Sequence, residues 1–300
     1  MAVLSVDLAY SLWPNLGIVI LDRVDPAHSP ALVHPGSGLP GPALPFKPVF
    51  AGPNQLESAQ STIACEIIPA FSPGLNADFS PGPAGPVDAN ILAGRLNHLC
   101  GVRGIRVMML DGPQAWKSRS NGLEHARVSE RQLNRAAKTG LPGMVKPVTC
   151  RPFAEFCLDV YDALCRRGWR RLATREHPGS AFDQHQERIL VESCPYAAWK
   201  SLGLKPLPPR RRAKVSDLAE AYAALRSLIP ITTNRPPNHD QLQAIVAGLP
   251  GLALEERNTA AARIVGNPPR REDGHWREGF IVLPVPPTDP VKPVALRWLH

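Results

Sequence analysis

The run Ala2-Val3-Leu4-Ser5-Val6-Asp7-Leu8-Ala9 decides the fold. It is short, apolar on both faces and carries one acid near its end, the pattern of a strand buried on both sides. Leu16-Gly17-Ile18-Val19-Ile20-Leu21-Asp22 reads as a second strand. Trp13, Pro14 and Asn15 between them predict a hairpin turn. Residues 105–110 form another apolar strand, which stops where Asp111-Gly112-Pro113 forces a turn. Residues 188–193 repeat the theme, with Glu192 shortly before Pro195. A late strand is expected at 279–284.

Helices fall between these strands. Residues 88–100 are capped by Asp88, with Val87 stapling onto Leu92 and a stripe of Ile91, Leu92, Leu96 and Leu99. Ser129 and Gln132 suggest a capping box for a helix over 129–138, ended by Gly140. Phe153, Phe156, Cys157, Val160 and Leu164 have core-facing helical spacing. Further helices are expected at 196–202, at 216–228 with Leu218, Ala219, Tyr222 and Leu225 inward, and at 240–249. A hairpin followed by alternating strands and helices predicts an α/β domain over 1–300, a mixed sheet with helices on both faces. Residues 26–86 are a Pro/Gly-rich insertion whose only charges are Lys47, Glu57, Glu66 and Asp78. Ile63, Ile67 and Ile68 within it allow one or two short strands.

The chain has 34 Lys and Arg against 26 Asp and Glu, a net charge of +8. The excess is concentrated after residue 150, which suits an anionic partner such as nucleic acid or another phosphodiester, although charge alone fits a solvated, Arg-rich surface better. The six cysteines form no Cys-x-x-Cys pair and have no His at zinc-finger spacing, so reduced thiols are expected. Asp7 and Pro14 interrupt the apolar N-terminus, which argues against a signal peptide. No apolar run reaches membrane-spanning length, and a cytoplasmic location is expected. There is no Gly-x-x-x-x-Gly-Lys loop and no Gly-x-Ser-x-Gly elbow, which excludes the common nucleotide-binding and serine-hydrolase signatures.

Asp7, Asp111 and Glu192 therefore each lie at or near the C-terminal end of a strand, where open α/β sheets place their sites. Carboxylates that converge repel one another unless a cation neutralises them. A hard dication, Mg2+ or Mn2+, is the natural partner for oxygen ligands. Two such ions about 4 Å apart would clamp the attacking and leaving oxygens of a phosphodiester. The bland alternative is that each acid caps a helix or pairs with an arginine.

Leu4-Ser-Val-Asp7, Leu110-Asp111-Gly112-Pro113, Glu192-Ser-Cys-Pro195-Tyr-Ala-Ala-Trp199, His239-Asp240-Gln-Leu-Gln243-Ala244 and Glu278-Gly-Phe-Ile-Val-Leu-Pro284 occur in this order. Together they resemble domain of unknown function family 429, a predicted ribonuclease-H-like nuclease family. The likeness spans nearly the whole chain except residues 26–86. It implies a ribonuclease-H-like sheet, a metal-dependent nuclease activity, and Asp7 and Glu192 as metal ligands, with Asp111 a further ligand or neighbour. The family's later helix carries Asp-x-x-Asp-Ala. Here Asp240 is kept and Gln243 stands at the second acid, able to offer a carbonyl oxygen but no charge. Arg127 and Glu130 resemble another family element, an Arg three residues before an acid, which could grip a phosphate or form an ordinary helix-start ion pair.

The basic runs Arg166-Arg167, Arg170-Arg171 and Arg210-Arg211-Arg212 could contact a phosphate backbone, Arg211 and Arg212 above all. Trp169 and Trp199 could stack on bases, but large aromatics in amphipathic segments are more often core. His177 and His185, near Asp183, could line the site. Two rival functions follow. One is a non-catalytic nucleic-acid or protein-binding module, motivated by Gln243. The other is an ATP-using relative of the actin and sugar-kinase fold, which needs a Gly- and Ser/Thr-rich hairpin that Leu8-Ala-Tyr-Ser-Leu-Trp-Pro14 does not supply.

Overall fold

The computed structural model of the chain describes residues 1–9, 11–24, 61–69, 86–174 and 187–287. In chain order the elements are β1 (Ala2–Asp7), β2 (Gly17–Val24), β3 (Thr62–Ile68), α1 (Ala89–Arg103), β4 (Val107–Asp111), α2 (Val128–Gln132), β5 (Lys138–Thr139), β6 (Val145–Lys146), α3 (Arg151–Cys165) and β7 (Trp169–Arg171). There follow β8 (Arg188–Ser193), α4 (Pro195–Ser201), α5 (Val215–Leu228), β9 (Ile231–Thr233), α6 (His239–Glu255), β10 (Ala262–Val265), β11 (Arg270–Glu272), β12 (His275–Arg277) and β13 (Ile281–Pro284).

Among the described residues, nine strands make one mixed sheet in the order β10-β13-β8-β4-β1-β2-β3-β9, with β7 beside β8. β1, β2 and β3 are an antiparallel meander. On the other side of β1, β4 runs parallel to it and β8 runs parallel to β4. The outer edge of β8 is shared: β7 pairs with Arg188–Leu190, and β13 takes over at Glu192.

Side-chain alternation divides the core into two layers. Leu4, Val6, Met108, Leu110 and Leu190 pack on α1 and α3. Val3, Val107, Met109, Ile189 and Val191 face α4, α5 and α6. The meander and the parallel strands are thus covered on both sides, which explains why β1 and β4 read as continuous apolar runs.

α6 lies closest to the sheet, and glycine permits it. A Cβ on Gly248 would come 2.6 Å from Leu21 Cδ1 and 2.7 Å from Ser5 Cβ, and one on Gly251 would come 2.6 Å from Val3 Cγ1. At the helix's other end, a Cβ on Gly17 would fall 2.1 Å from the Asp240 carbonyl oxygen. The N-terminus of α6 is therefore held against the start of β2, directly beside the end of β1.

Several elements differ from the sequence expectations. α6 runs to Glu255 rather than stopping near Leu249, with Pro250 inside it. Proline costs a helix one hydrogen bond, but burial of the whole second half of this helix against the sheet overrides that local preference. The helix expected over 129–138 is only Val128–Gln132. Asn134 at φ 48° ends it in the left-handed conformation, with Asn134 N donating to Arg131 O and Arg135 N to Glu130 O, a Schellman closure. Ile91 of α1 and Ala219 of α5 face solvent rather than the core. Asp88 does cap α1, accepting from Ile91 N at 2.8 Å. One strand, β3, lies in the Pro/Gly-rich insertion as expected. The short strands β7, β9 and β10 were not legible in the sequence.

The close approach of α6 predicts opposite effects for two Gly→Ala changes. Gly248→Ala lowers stability by about 1–3 kcal/mol through overpacking. Gly101→Ala, on an exposed turn of α1 with nothing within 4 Å of the new Cβ, raises it by up to about 1 kcal/mol. Urea unfolding of both variants checks this, and a stabilised Gly248→Ala would refute the close-contact account.

Candidate active site

Asp7 ends β1 and Asp111 ends β4. Val6 pairs with Leu110, so the two acids stand in the next row of the sheet, side by side. Both lie in the alternation set of Val3 and Met109, on the α6 face. Their carboxyls touch. Burial, then the neighbouring Asp111, then Asp240 hold the Asp7 carboxyl well above the usual aspartate range. Burial also raises Asp111, against the pull of Arg135. Two carboxylates in contact are both acceptors, so a proton or another cation must lie between them. Asp111 Oδ1 is buried and has no hydrogen-bond partner.

Glu192 is on the other face. It pairs with Leu110, one row short of Asp111, whose own partner is Ser193. A shift of one residue along a strand moves a side chain to the opposite side of the sheet. There Glu192 is fully buried and held by Arg127, with Nη1 donating to Oε2 and Nη2 to Oε1, both at 2.6 Å. Gln114 N donates to Oε2 at 3.0 Å. The sequence expectation that Glu192 is an open metal ligand is not what the structure presents: its oxygens are committed to a bidentate ion pair.

Arg127 and Glu130, expected to grip substrate, are also buried rather than presented to a ligand. Glu130 accepts from Arg127 N, Thr139 N and Thr139 Oγ1, the last at 2.6 Å. Burial would raise this carboxyl, but Arg127 and the Thr139 hydrogen bonds outweigh it and hold Glu130 below its ordinary value. The Arg-x-x-Glu segment thus fixes α2 and the β5–β6 hairpin to Glu192, and its role is positional.

Asp240, at the N-terminus of α6, approaches Asp7 from above the sheet. Its Oδ2 lies 3.0 Å from Arg210 Nη1, and its Oδ1 lies 3.0 Å from His239 Nδ1. Gln243, one turn on, lines the same cleft, but its Oε1 accepts from Trp199 Nε1 at 2.8 Å. The carbonyl oxygen expected to reach a metal thus already accepts one hydrogen bond, and Trp199 is a core residue, as large aromatics in amphipathic segments more often are.

The residue sequence reading missed is Arg135. The Schellman turn at Asn134 carries it back over the sheet edge. Its Nη2 lies 3.9 Å from Asp111 Oδ1 and its Nη1 3.4 Å from Glu192 Oε1. Burial works against its charge, yet Cys194, Asp111 and Glu192 around it raise its pKa on balance. An Asn followed by Arg at a helix end was the available signal, obscured by the expectation of a longer helix.

Asp7, Asp111, Asn134, Arg135, Cys194, Tyr196 and Gln243 line a cleft of about 360 Å³. Tyr196 is exposed at this cleft, with Lys200 Nζ 5.2 Å from its ring centroid. Arg211 and Arg212 are exposed beside Arg210. His177, Asp183 and His185 lie outside the described residues. All six cysteines are free thiols. Among the described residues no helix is long and apolar enough to cross a membrane. The chain matches no family model, no curated protein and no solved structure.

Two predictions follow from this geometry. Arg127→Met leaves Glu192 buried without its partner and costs about 3–5 kcal/mol, measured by denaturant unfolding; a loss below about 1 kcal/mol would mean that the pair does not hold the loop. The raised Asp7–Asp111 carboxyls give the opposite sign from an ordinary ion pair. Their contribution is complete below the unfolded aspartate pKa and is lost as pH rises through the raised folded value. Without divalent cations, the stability of Asp7→Asn relative to the native protein, followed by its melting temperature, should therefore rise as pH climbs through that window. A pH-independent difference would remove the shared proton from the account.

Proposed function

We propose that this protein is a divalent-cation-dependent hydrolase of phosphodiester bonds in nucleic acid, built on a ribonuclease-H-like scaffold. The observation that carries the reading is the contact between Asp7 and Asp111 on one sheet face, beneath an open cleft and with an Asp111 oxygen that accepts no hydrogen bond. The strand order supports the scaffold: an antiparallel meander β1-β2-β3, with β4 and β8 added parallel on the far side of β1. The segments resembling the domain of unknown function family point the same way.

The donor set suits Mg2+ or Mn2+. Asp7 and Asp111 offer hard oxygens, and Asp240 stands next to Asp7. Glu192 and Gln243 do not contribute, because Arg127 and Trp199 hold their oxygens. Among the described residues no three His, Cys, Asp or Glu converge into a complete ligand set. Magnesium is commonly held by one or two carboxylates, with water and substrate phosphates in the remaining positions. A bound dication supplies charge neutralisation and polarises the phosphoryl oxygen.

The protein's own groups do the rest. Asp7 and Asp111 fix the reacting side of the cleft. The positive N-terminal end of α6 lies behind them and favours negative charge there. Arg135 offers a permanent cation within reach of a phosphate oxygen. Tyr196 presents an exposed ring on which a base or sugar can stack. Arg211 and Arg212 supply backbone contacts that steer a polyanion toward Arg210 and the acids.

Cleavage of single- and double-stranded DNA and RNA with Mg2+ or Mn2+ tests the activity. Asp7→Asn and Asp111→Asn should each reduce it at least about 100-fold, the scale of losing a main electrostatic contribution, with unchanged circular dichroism. Salt-dependent binding without cleavage by the native protein would instead favour a binding module, the reading that the neutral Gln243 motivates. Replacing Arg211 and Arg212 together with Gln should reduce the slope of log affinity against log salt by up to about 2; an unchanged slope would take both out of the interface.

A further inference from the structure

We infer that this site is built for one divalent cation, and that the Arg135 guanidinium stands where a second would bind. The inference rests on the metal-dependent reading above and specifies how many ions that reading allows.

The argument begins with how the acids are matched. Glu192 faces Arg127 at 2.6 Å and Arg135 at 3.4 Å. Asp111 faces Arg135 at 3.9 Å. Asp240 faces Arg210 at 3.0 Å. Among the described residues, Asp7 is the acid of this group with no ion pair of its own. Arg127 is shared by Glu130 and Glu192, and Arg135 by Asp111 and Glu192, so the five carboxylates Asp7, Asp111, Glu130, Glu192 and Asp240 meet three guanidiniums, and the two negative charges left over equal those of one dication.

A second ion would need a second pair of oxygens. The two positions that could offer them are Asp111 with Glu192, across the sheet edge, and Asp7 with Asp240 and Gln243, below α6. The first is spanned by Arg135, whose two terminal nitrogens address the two acids separately. The Glu192 oxygens there are further committed to Arg127 and to Gln114 N. At the second, Gln243 is neutral and its Oε1 is bonded to Trp199, while Asp240 has Arg210 on one oxygen and His239 on the other. A dication in either place would sit within a few ångströms of a guanidinium and of the first ion, with too few negative charges to offset the repulsion.

Arg135 is placed by backbone geometry rather than by chance of a surface rotamer. Asn134 in its left-handed turn, and the Arg135 N to Glu130 O hydrogen bond of 3.0 Å, fix where the side chain starts. Glu130 is in turn tied to Thr139 and Arg127, so the whole α2 segment delivers a fixed positive charge to the cleft. Unlike a metal ion, this charge cannot be removed by a chelator. Charge development on the substrate phosphate is then met from two sides, by one exchangeable ion at Asp7–Asp111 and one permanent cation at Arg135.

The test counts Mn2+ bound to the chelator-treated full chain, from the loss of the free Mn2+ paramagnetic resonance signal, without nucleic acid. The native protein should bind one ion per chain, and Asp7→Asn should bind it at least tenfold more weakly. Arg135→Gln, which removes the charge, should take up a second ion; Arg135→Lys, which keeps it, should remain at one. Two ions on the native protein, or a second ion on Arg135→Lys, would overturn the inference while leaving the metal-dependent reading intact. A single ion on folded Arg135→Gln, at unchanged affinity, would overturn the role given to Arg135. No ion on the native protein at millimolar Mn2+ would remove the metal-dependent reading itself, and this inference with it. Circular dichroism of each variant identifies any loss of fold, and the native and Arg135→Lys counts stand without Arg135→Gln.

Discussion

Parallel pairing of β4 to β1 is the constraint on which the site depends. Backbone hydrogen bonding sets the register, and register sets which side chains share a row and a face. With Val6 opposite Leu110, Asp7 and Asp111 are forced together at the edge of a buried sheet. Both carboxyls are partly exposed at the cleft, but the strand ends that carry them hold them side by side. Their mutual repulsion is therefore built into the fold and is relieved only by a proton or a cation.

The same register sends Glu192 elsewhere. One row short of the other two acids, it points to the face covered by α1 and α3, where an uncompensated charge would be prohibitive. Arg127 supplies the compensation, and Glu130 and Thr139 hold Arg127 in turn. A buried ion pair of this kind contributes little net stability compared with apolar packing, but it fixes geometry, because removing either partner strands the other. Here it fastens α2 and the β5–β6 hairpin to the sheet, and that is what brings Arg135 over the cleft. A group that looked like a ligand in the sequence is thus the anchor for a cation at the site.

α6 closes the arrangement from the opposite side. Gly248 and Gly251 let it settle on β1, β2 and β4 at a distance that no side chain would allow, and Gly17 lets its first turn reach the end of β1. The depth of this packing explains how the helix tolerates Pro250. It also brings Asp240 and the helix N-terminus to the two acids. Three elements far apart in sequence thereby converge at one edge, where acids outnumber the guanidiniums that face them.

The sequence alone determined the architecture in outline. Periodicity is a local property, so the buried strands β1, β2, β4 and β8, the capped helix α1 and the alternating order of elements could be read residue by residue. Asp7 and Asp111 could be singled out in the same way, because each ends an apolar run. Tertiary structure decided which strand residues share a row, and hence that Glu192 faces away. It also decided that Trp199 occupies the oxygen of Gln243, and that Arg135 rather than Arg127 reaches the cleft. Those outcomes depend on register, on the depth at which a helix packs and on one left-handed residue at Asn134. All three are set by contacts between distant segments, and such contacts leave no periodic trace along the chain.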